Sequence, residues 1–195
     1  MTTNILFIDT ETTGLYKHSA PVDDPKQPYV VQLGLMLTQR NSKKFYGFQP
    51  LQSFGAIIRV PVGTTINPFA LEVHGISVEL CNEYGIPGHV ATSVLDDLLH
   101  EADLLVAHNV QFDKAVINTF LTRHNIDTKF FDQLPTYCTM KESTEFCGLT
   151  TKNGRPKWPK LTELHQVLFE EGFAGTHDAL DDVNATARCY YELTK

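Results

Sequence analysis

The chain has 195 residues, 42% of them apolar and 20% charged, so one domain spanning residues 1–195 with a normal buried core is expected and disorder is not the default. Sixteen Lys plus Arg stand against 23 Asp plus Glu, for a formal net charge of −7. That balance excludes a simple basic protein that coats phosphate, because bulk affinity for nucleic acid comes from Lys and Arg.

The predicted elements alternate strand and helix. Residues 4–9 contain the continuous apolar run Ile5-Leu6-Phe7-Ile8, which reads as a central strand buried on both faces. Residues 16–28 are a polar, Pro-bearing loop. Residues 29–38 and 55–60 read as two further strands, and 68–74 as a short helix closed by Gly75. Residues 90–100 form an amphipathic helix, with Val90, Val94, Leu95, Leu98 and Leu99 on one side. A short buried strand at 103–107 leads into a helix at 112–124, followed by a strand at 136–139. After a second loop at 148–160, helices at 161–169 and 178–193 complete the chain. This alternation indicates an α/β fold with a parallel or mixed sheet.

No apolar run reaches the roughly 20 residues of a membrane span, and Ile5 to Ile8 is too short for a secretory signal. Cys81, Cys138, Cys147 and Cys189 form no C-x-x-C pair. Four such thiols without an export signal suit a reducing cytoplasm, so a cytoplasmic protein without a membrane partner is expected.

Three constellations carry chemistry. Asp9 and Glu11 stand two residues apart at the end of the first strand, so both carboxylates project from one face. Like charges this close repel unless a cation lies between them, and hard divalent ions such as Mg²⁺ take oxygen ligands. A solvated strand end with two acids gives the same pattern. Gly14 with Thr10, Thr12 and Thr13 reads as a tight turn with free hydroxyls. The second constellation is His108-Asn109-Val110-Gln111-Phe112-Asp113, where a strand runs into a helix. Structure alone accounts for each member: Asp113 suits the helix dipole, Asn109 a cap, and Phe112 the core. The third is His177-Asp178-Ala179-Leu180-Asp181-Asp182 at the start of the last helix. Asp178 and Asp181 are read as acids favoured by the helix N-terminus, and helical spacing leaves Asp181 and Asp182 open as ligands.

Taken in order, the three segments resemble the motifs of the DnaQ-like 3′–5′ exonucleases of the DEDDh group. Phe7 to Leu15 is similar to the first motif, His108 to Asp113 to the second, and His177 to Asp182 to the third. Val73-His74-Gly75-Ile76 resembles a segment often found between the first two. The resemblance implies an RNase H-like fold with a five-stranded mixed sheet flanked by helices. It implies that Asp9, Glu11, Asp113 and Asp182 hold two Mg²⁺ ions, with Mn²⁺ as a substitute, and it selects Asp182 over Asp181. His177 would be the general base, a task that suits an imidazole because its ordinary pKa is about 6.5. Thr12, Thr13 and Leu15 would lie beside the terminal nucleotide, and Asn109 and Phe112 near the nucleic-acid path.

The implied reaction is hydrolysis at nucleic-acid 3′ ends, with DNA favoured, to nucleoside 5′-monophosphates; the partner is single-stranded DNA or the 3′ ends of nucleic acid, with single or double strand left open. RNA is the alternative substrate, since sugar choice depends on contacts around the 2′ position. An idle domain that binds nucleic acid or a partner is the alternative from another class; the presence of all four carboxylates and His177 argues against it. Thirteen residues follow Asp182, which points to a freestanding enzyme, while a polymerase or a second copy of the chain stays open as a partner. Three features depart from the family pattern: the long 16–28 loop, Gln32 where Glu is frequent, and the extended 138–160 connection. Within that segment Lys152, Arg155, Lys157 and Lys160 surround Trp158 with no acid between them. A solvated loop with Trp158 packed on the body is weighed there against a surface that holds a strand.

Overall fold

The computed structural model describes residues 2–41, 50–173 and 177–195. Five strands form one mixed sheet: β1 (Thr2–Thr12), β2 (Val30–Asn41), β3 (Pro50–Ile57), β4 (Leu104–Ala107) and β5 (Thr136–Cys138), in the spatial order β3-β2-β1-β4-β5. β1 runs antiparallel to β2 and parallel to β4, β2 runs antiparallel to β3, and β4 runs parallel to β5. The expected five-stranded α/β architecture is therefore present.

Ile5, Leu6, Phe7 and Ile8 are all fully buried because both faces of β1 are covered. Leu6 and Ile8 face the larger core, shared with α3 (Gly88–Glu101) and α4 (Val110–Arg123). Ile5 and Phe7 face the opposite way, onto Val183, Ala187 and Tyr190 of α9 (Ala179–Leu193). The ring of Phe7 meets that of Tyr190 edge-on at 5.5 Å. Strand alternation carries this division to the end of β1. Asp9 and Glu11 continue the α9 face, and Thr10 the α4 face.

Several boundaries differ from expectation. β1 continues past Asp9 through Glu11 to Thr12, so Glu11 as well as Asp9 lies inside the strand. β3 spans Pro50–Ile57 rather than 55–60, because Pro50 to Ser53 are exposed on an edge strand and give no apolar run to read. The helix at 68–74 is present as α1 (Pro68–His74), closed by Gly75 in the left-handed region at φ 70°. Four short helices went unpredicted: α2 (Val78–Tyr84), α5 (Lys129–Gln133), α6 (Thr139–Glu142) and α7 (Thr144–Cys147). Each is two turns or fewer, too short for its periodicity to stand out. Thr139 begins α6 rather than ending β5. α8 (Leu161–Phe169) matches its predicted range. All four cysteines are free thiols.

Candidate active site

The C-terminal half of β1 and the first turns of α4 and α9 converge. Asp9 pairs in register with Gly34, and Glu11 with Gln32. These four positions form the floor on which the N-terminus of α9 rests. Gly34 permits the contact, since a Cβ there would stand 2.4 Å from the carbonyl oxygen of Ala179. Gln32 bridges β2 to the helix with both ends of its amide. Its Nε2 donates to Asp178 Oδ2 at 2.7 Å, and its Oε1 accepts from the backbone N–H of Ala179 at 3.1 Å. The other oxygen of Asp178 caps the helix, accepting from the backbone N–H groups of Leu180 and Asp181 at 3.0 and 3.2 Å. Asp178 is thus the structural acid that the sequence suggested.

Asp182 lies on the inward side of that helix. Ligand atoms of Glu11, His177 and Asp182 all fall within 4.8 Å of one another. Asp182 Oδ1 is buried and has no hydrogen-bond partner. Asp181 is exposed and stands outside this group. Asp113 arrives from the opposite face of the sheet, in the first turn of α4. The hydroxyl of Thr10 donates to Asp113 Oδ1 at 2.9 Å, so the residue between the two acids of β1 holds the third.

The electrostatics are those of a repelling cluster. Burial pushes Asp9 well above the ordinary carboxylate range, and the charges of Asp113, Asp182, Glu11 and Asp178 push the same way. Burial, then Asp182, Asp113 and Asp178, raise Glu11 to about 8. Asp113 rises to about 7 through burial, against the opposing hydrogen bond from Thr10. Burial raises Asp182 to about 6 while His177 pulls it down. No cationic Lys or Arg side chain offsets the set in these shifts. Four carboxylates held together with one buried oxygen unpartnered form a donor set that fits hard divalent cations.

Beside Glu11 lies a cavity of about 440 Å³ with an apolar wall. Thr12, Leu15 and Phe112 line it, as do Phe69, Ala70 and Val73 of α1. Leu15 is 83% exposed and Phe69 79%, an unusual display for two large apolar side chains at one mouth. Phe112 also packs against the larger core, so its two readings coexist. Thr13 lines a neighbouring groove of about 900 Å³, which shares Gly14, Leu15 and Asn67 with the first cavity. Asn109 lines neither.

Two expectations need correction. The threonine hydroxyls are not free. Thr12 Oγ1 donates to Gly14 O at 2.7 Å, and Thr13 Oγ1 accepts from the backbone N–H of Tyr29 at 3.0 Å. Both are consumed in closing the turn after β1. Asn109 stands at the N-cap of α4 but makes no side-chain cap bond. Its backbone is left-handed, φ 75° and ψ 49°, which turns the side chain away from the helix's first N–H groups.

Sequence reasoning missed other contributors. His74 is buried, and its Nε2 donates to Thr12 O at 3.1 Å while its Nδ1 accepts from the backbone N–H of Ile76 at 3.0 Å. Burial, the largest influence, lowers its pKa and keeps the ring neutral, as this tautomer requires. The resemblance of 73–76 to a family segment was the available signal. The long 16–28 loop folds around Gln27, whose amide accepts from Lys17 N at 3.0 Å and donates to Lys17 O at 2.9 Å. Arg123 clamps it from α4, donating to Pro28 O and Gln27 O at 2.8 Å each and stacking over Tyr29 at 4.0 Å.

No curated protein matches the chain. Among solved structures, Escherichia coli exonuclease I in complex with a dT13 oligonucleotide is similar, with TM-score 0.77 and 17% identity over 99% of this chain and 41% of that one. The complex of the same enzyme with a dA16 oligonucleotide gives TM-score 0.73 and 16% identity over 98% and 41%. The zinc-bound form of its complex with single-stranded DNA gives TM-score 0.74 and 17% identity over 100% and 41%. At such identities these likenesses establish the fold, and the chain spans about 41% of the length of those proteins. No helix among the described residues is long and apolar enough to cross a membrane. The model of the RNase_T family, described as Exonuclease, matches residues 6–190, so the chain belongs to the DnaQ-like exonuclease family, as its three motifs suggested.

Proposed function

We propose that this protein is a metal-dependent 3′–5′ exonuclease of one catalytic domain, which shortens single-stranded DNA from its 3′ end and releases nucleoside 5′-monophosphates. The observation that carries the proposal is the cluster itself. Glu11, His177 and Asp182 present ligand atoms within 4.8 Å of one another, and an unpartnered Asp182 oxygen is buried among them. Asp9, Glu11, Asp113 and Asp182 would hold two Mg²⁺ or Mn²⁺ ions. When bound, such ions supply Lewis acidity and charge neutralisation for an in-line displacement at phosphorus. The four carboxylates supply the oxygen ligands that hard ions of this kind take.

The chain's own residues supply the rest. His177 stands exposed at the site mouth with its backbone at φ 47°, where its ring takes a proton from the attacking water. Leu15, Phe69 and Phe112 offer apolar surface to the terminal base, and Thr12 shapes the turn beneath it. Asn109, at the left-handed start of α4, is assigned to the path of the strand. Similarity to an enzyme solved with dT13 and dA16 oligonucleotides supports DNA as substrate. Four free thiols fit a reducing compartment such as the cytoplasm.

Incubation with 5′-labelled single-stranded DNA, duplex DNA and RNA tests this reading in Mg²⁺, Mn²⁺ or EDTA. A ladder that shortens from the 3′ end, fastest on single-stranded DNA and absent in EDTA, is expected. Intact substrates in every metal would sink the proposal, and an equally fast RNA ladder would remove the preference for DNA. For His177→Ala, turnover is expected to fall about 10²–10⁴-fold, the usual contribution of a general base, with Mn²⁺ affinity kept by the carboxylates. Unchanged turnover would end its role as base.

A further inference from the structure

The segment 149–160 is a built hairpin rather than a solvated loop. Thr150 bridges Pro156 across it. The backbone N–H of Thr151 donates to Arg155 O at 2.8 Å, and that of Lys157 to Leu149 O at 2.9 Å. Gly154 turns the tip in the left-handed region at φ 73°. Its base is pinned twice. Lys157 pairs with Glu163 in the first turn of α8, and Glu163 Oε2 accepts from the backbone N–H of Lys160 at 2.8 Å.

The second anchor is His108, which ends β4 beside the start of α4. His108 Nε2 lies 3.0 Å from Pro159 O, which only accepts, so Nε2 carries the proton. Nδ1 then accepts from the hydroxyl of Thr139 at 3.0 Å. Burial lowers the ring to about 4, so it stays neutral and keeps this tautomer across the working range. The first residue of the second motif thus fastens the hairpin to the sheet edge that carries the acids.

The hairpin displays cations and an aromatic ring. Lys152, Arg155 and Lys160 are exposed, and among the described residues no carboxylate lies within ion-pair distance of them. Trp158, the chain's only tryptophan, is 60% exposed. A tryptophan kept for packing is mostly buried, so packing on the body does not account for it. Lys141 sits behind its ring at 6.0 Å. In a chain of net charge −7 this is a concentrated positive surface beside a negative site.

We propose that this hairpin is a second holding site for a single nucleic-acid strand, with backbone phosphates at Lys152, Arg155 and Lys160 and one base stacked on Trp158. The proposal rests on the exonuclease reading for its partner class. It gives the acidic enzyme a grip on its substrate away from the metal ligands, by the pairing of basic groove and aromatic platform that single strands favour.

Because Trp158 is the only tryptophan, fluorescence excited selectively in tryptophan reports on this hairpin. The intact protein is titrated with dT12 in Ca²⁺, a hard ion that carboxylates bind with looser geometry than Mg²⁺. Saturable quenching is expected, with affinity falling as salt rises. Replacing Lys152, Arg155 and Lys160 together by Gln is expected to flatten the log–log salt slope by about 2, at roughly 0.7 per phosphate contact. The same variant is expected to raise KM for dT12 about tenfold or more while kcat on a dinucleotide stays unchanged. Read from KM for dT12, because these variants carry no tryptophan, Trp158→Ala is expected to weaken binding by roughly tenfold or more, and Trp158→Phe to restore part of it. Degradation of 3′ ends with no quenching and no change of salt slope would overturn the hairpin proposal. Quenching and a salt slope without degradation of any nucleic acid would instead uphold the hairpin and overturn the exonuclease reading.

Discussion

Asp9→Asn is expected to lower turnover at least about a thousandfold and to raise the melting temperature of the metal-free protein. The two effects have one cause. Asp9 meets the charges of Asp113, Asp182 and Glu11, and burial raises its cost further. An amide of the same shape cannot neutralise a divalent ion, and removing several kcal/mol of such stabilisation at about 1.4 kcal/mol per tenfold gives the stated loss. The same amide relieves the repulsion that the metal-free fold carries.

The pH dependence follows from the same shifts. Unfolded carboxylates titrate near pH 4, whereas in the fold Glu11 titrates at about 8, Asp113 at about 7 and Asp182 at about 6. Between these limits the folded state holds more protons than the unfolded one, so stability falls as pH rises from about 4 to 8. In EDTA the melting temperature of the wild type is expected to decline across that window. The gain from Asp9→Asn is expected to be largest at its upper end, roughly 3 °C or more, on the scale of 2–4 °C per kcal/mol for a chain of this size. Mg²⁺ or Mn²⁺ is expected to stabilise the wild type more at pH 8 than at pH 6, and Asp9→Asn far less at either. Calorimetry in EDTA and in metal, beside initial rates on labelled DNA, measures all of this. An Asp9→Asn protein that melts lower at pH 8 and keeps its turnover would remove the cluster as the metal site.

Gly34→Ala is expected to cost about a hundredfold in turnover or more and to destabilise the fold by several degrees, although Gly34 touches no substrate. An added Cβ would meet Ala179 O at 2.4 Å, Ala179 C at 2.5 Å and Leu180 N at 2.8 Å, all of them backbone atoms with no rotamer to yield. The helix must lift, and overpacking of this kind costs about 1–3 kcal/mol or more. Lifting stretches the two Gln32 bonds to Asp178 and Ala179 and carries Asp182 away from Glu11. A misplacement of about 1 Å at reacting groups is worth about a hundredfold. Gly55→Ala is the control, because the nearest atoms its Cβ would meet belong to the side chain of Leu180, from 3.0 Å, rather than to backbone. That side chain can shift, so a milder loss is expected. Wild-type turnover in Gly34→Ala would show that the docking of α9 does not set the position of Asp182.

The elements that read cleanly from the sequence are those whose burial is repetitive. Ile5 to Ile8 announce a strand covered on both faces, and Ala179, Val183, Ala187 and Tyr190 recur along one side of α9, where all four are buried. β3 gave no such signal, since the edge of a sheet needs only one apolar face and Pro50 to Ser53 have none. The acids of β1 were legible for a similar reason, as alternation places Asp9 and Glu11 on one side whatever else the chain does. Gln32 and Gly34 were not. Their purpose is a contact with residues 178 to 180, about 146 positions later in the chain, and nothing local to β2 marks it.

Residue identity and short-range periodicity were enough to specify the donor chemistry, the facing of the first two acids and the family to which the three motifs belong. Only the assembled fold brought Asp182 beside Glu11 and His177, joined Asp113 to Thr10, and set Leu15 and Phe69 on one cavity. It also folded the segment carrying Trp158 and its neighbouring cations into a hairpin tied to His108. Local propensity acts over a few residues, whereas a site is made by contacts between segments a hundred residues apart. Those contacts exist only once the burial of both faces of β1 has drawn the segments together.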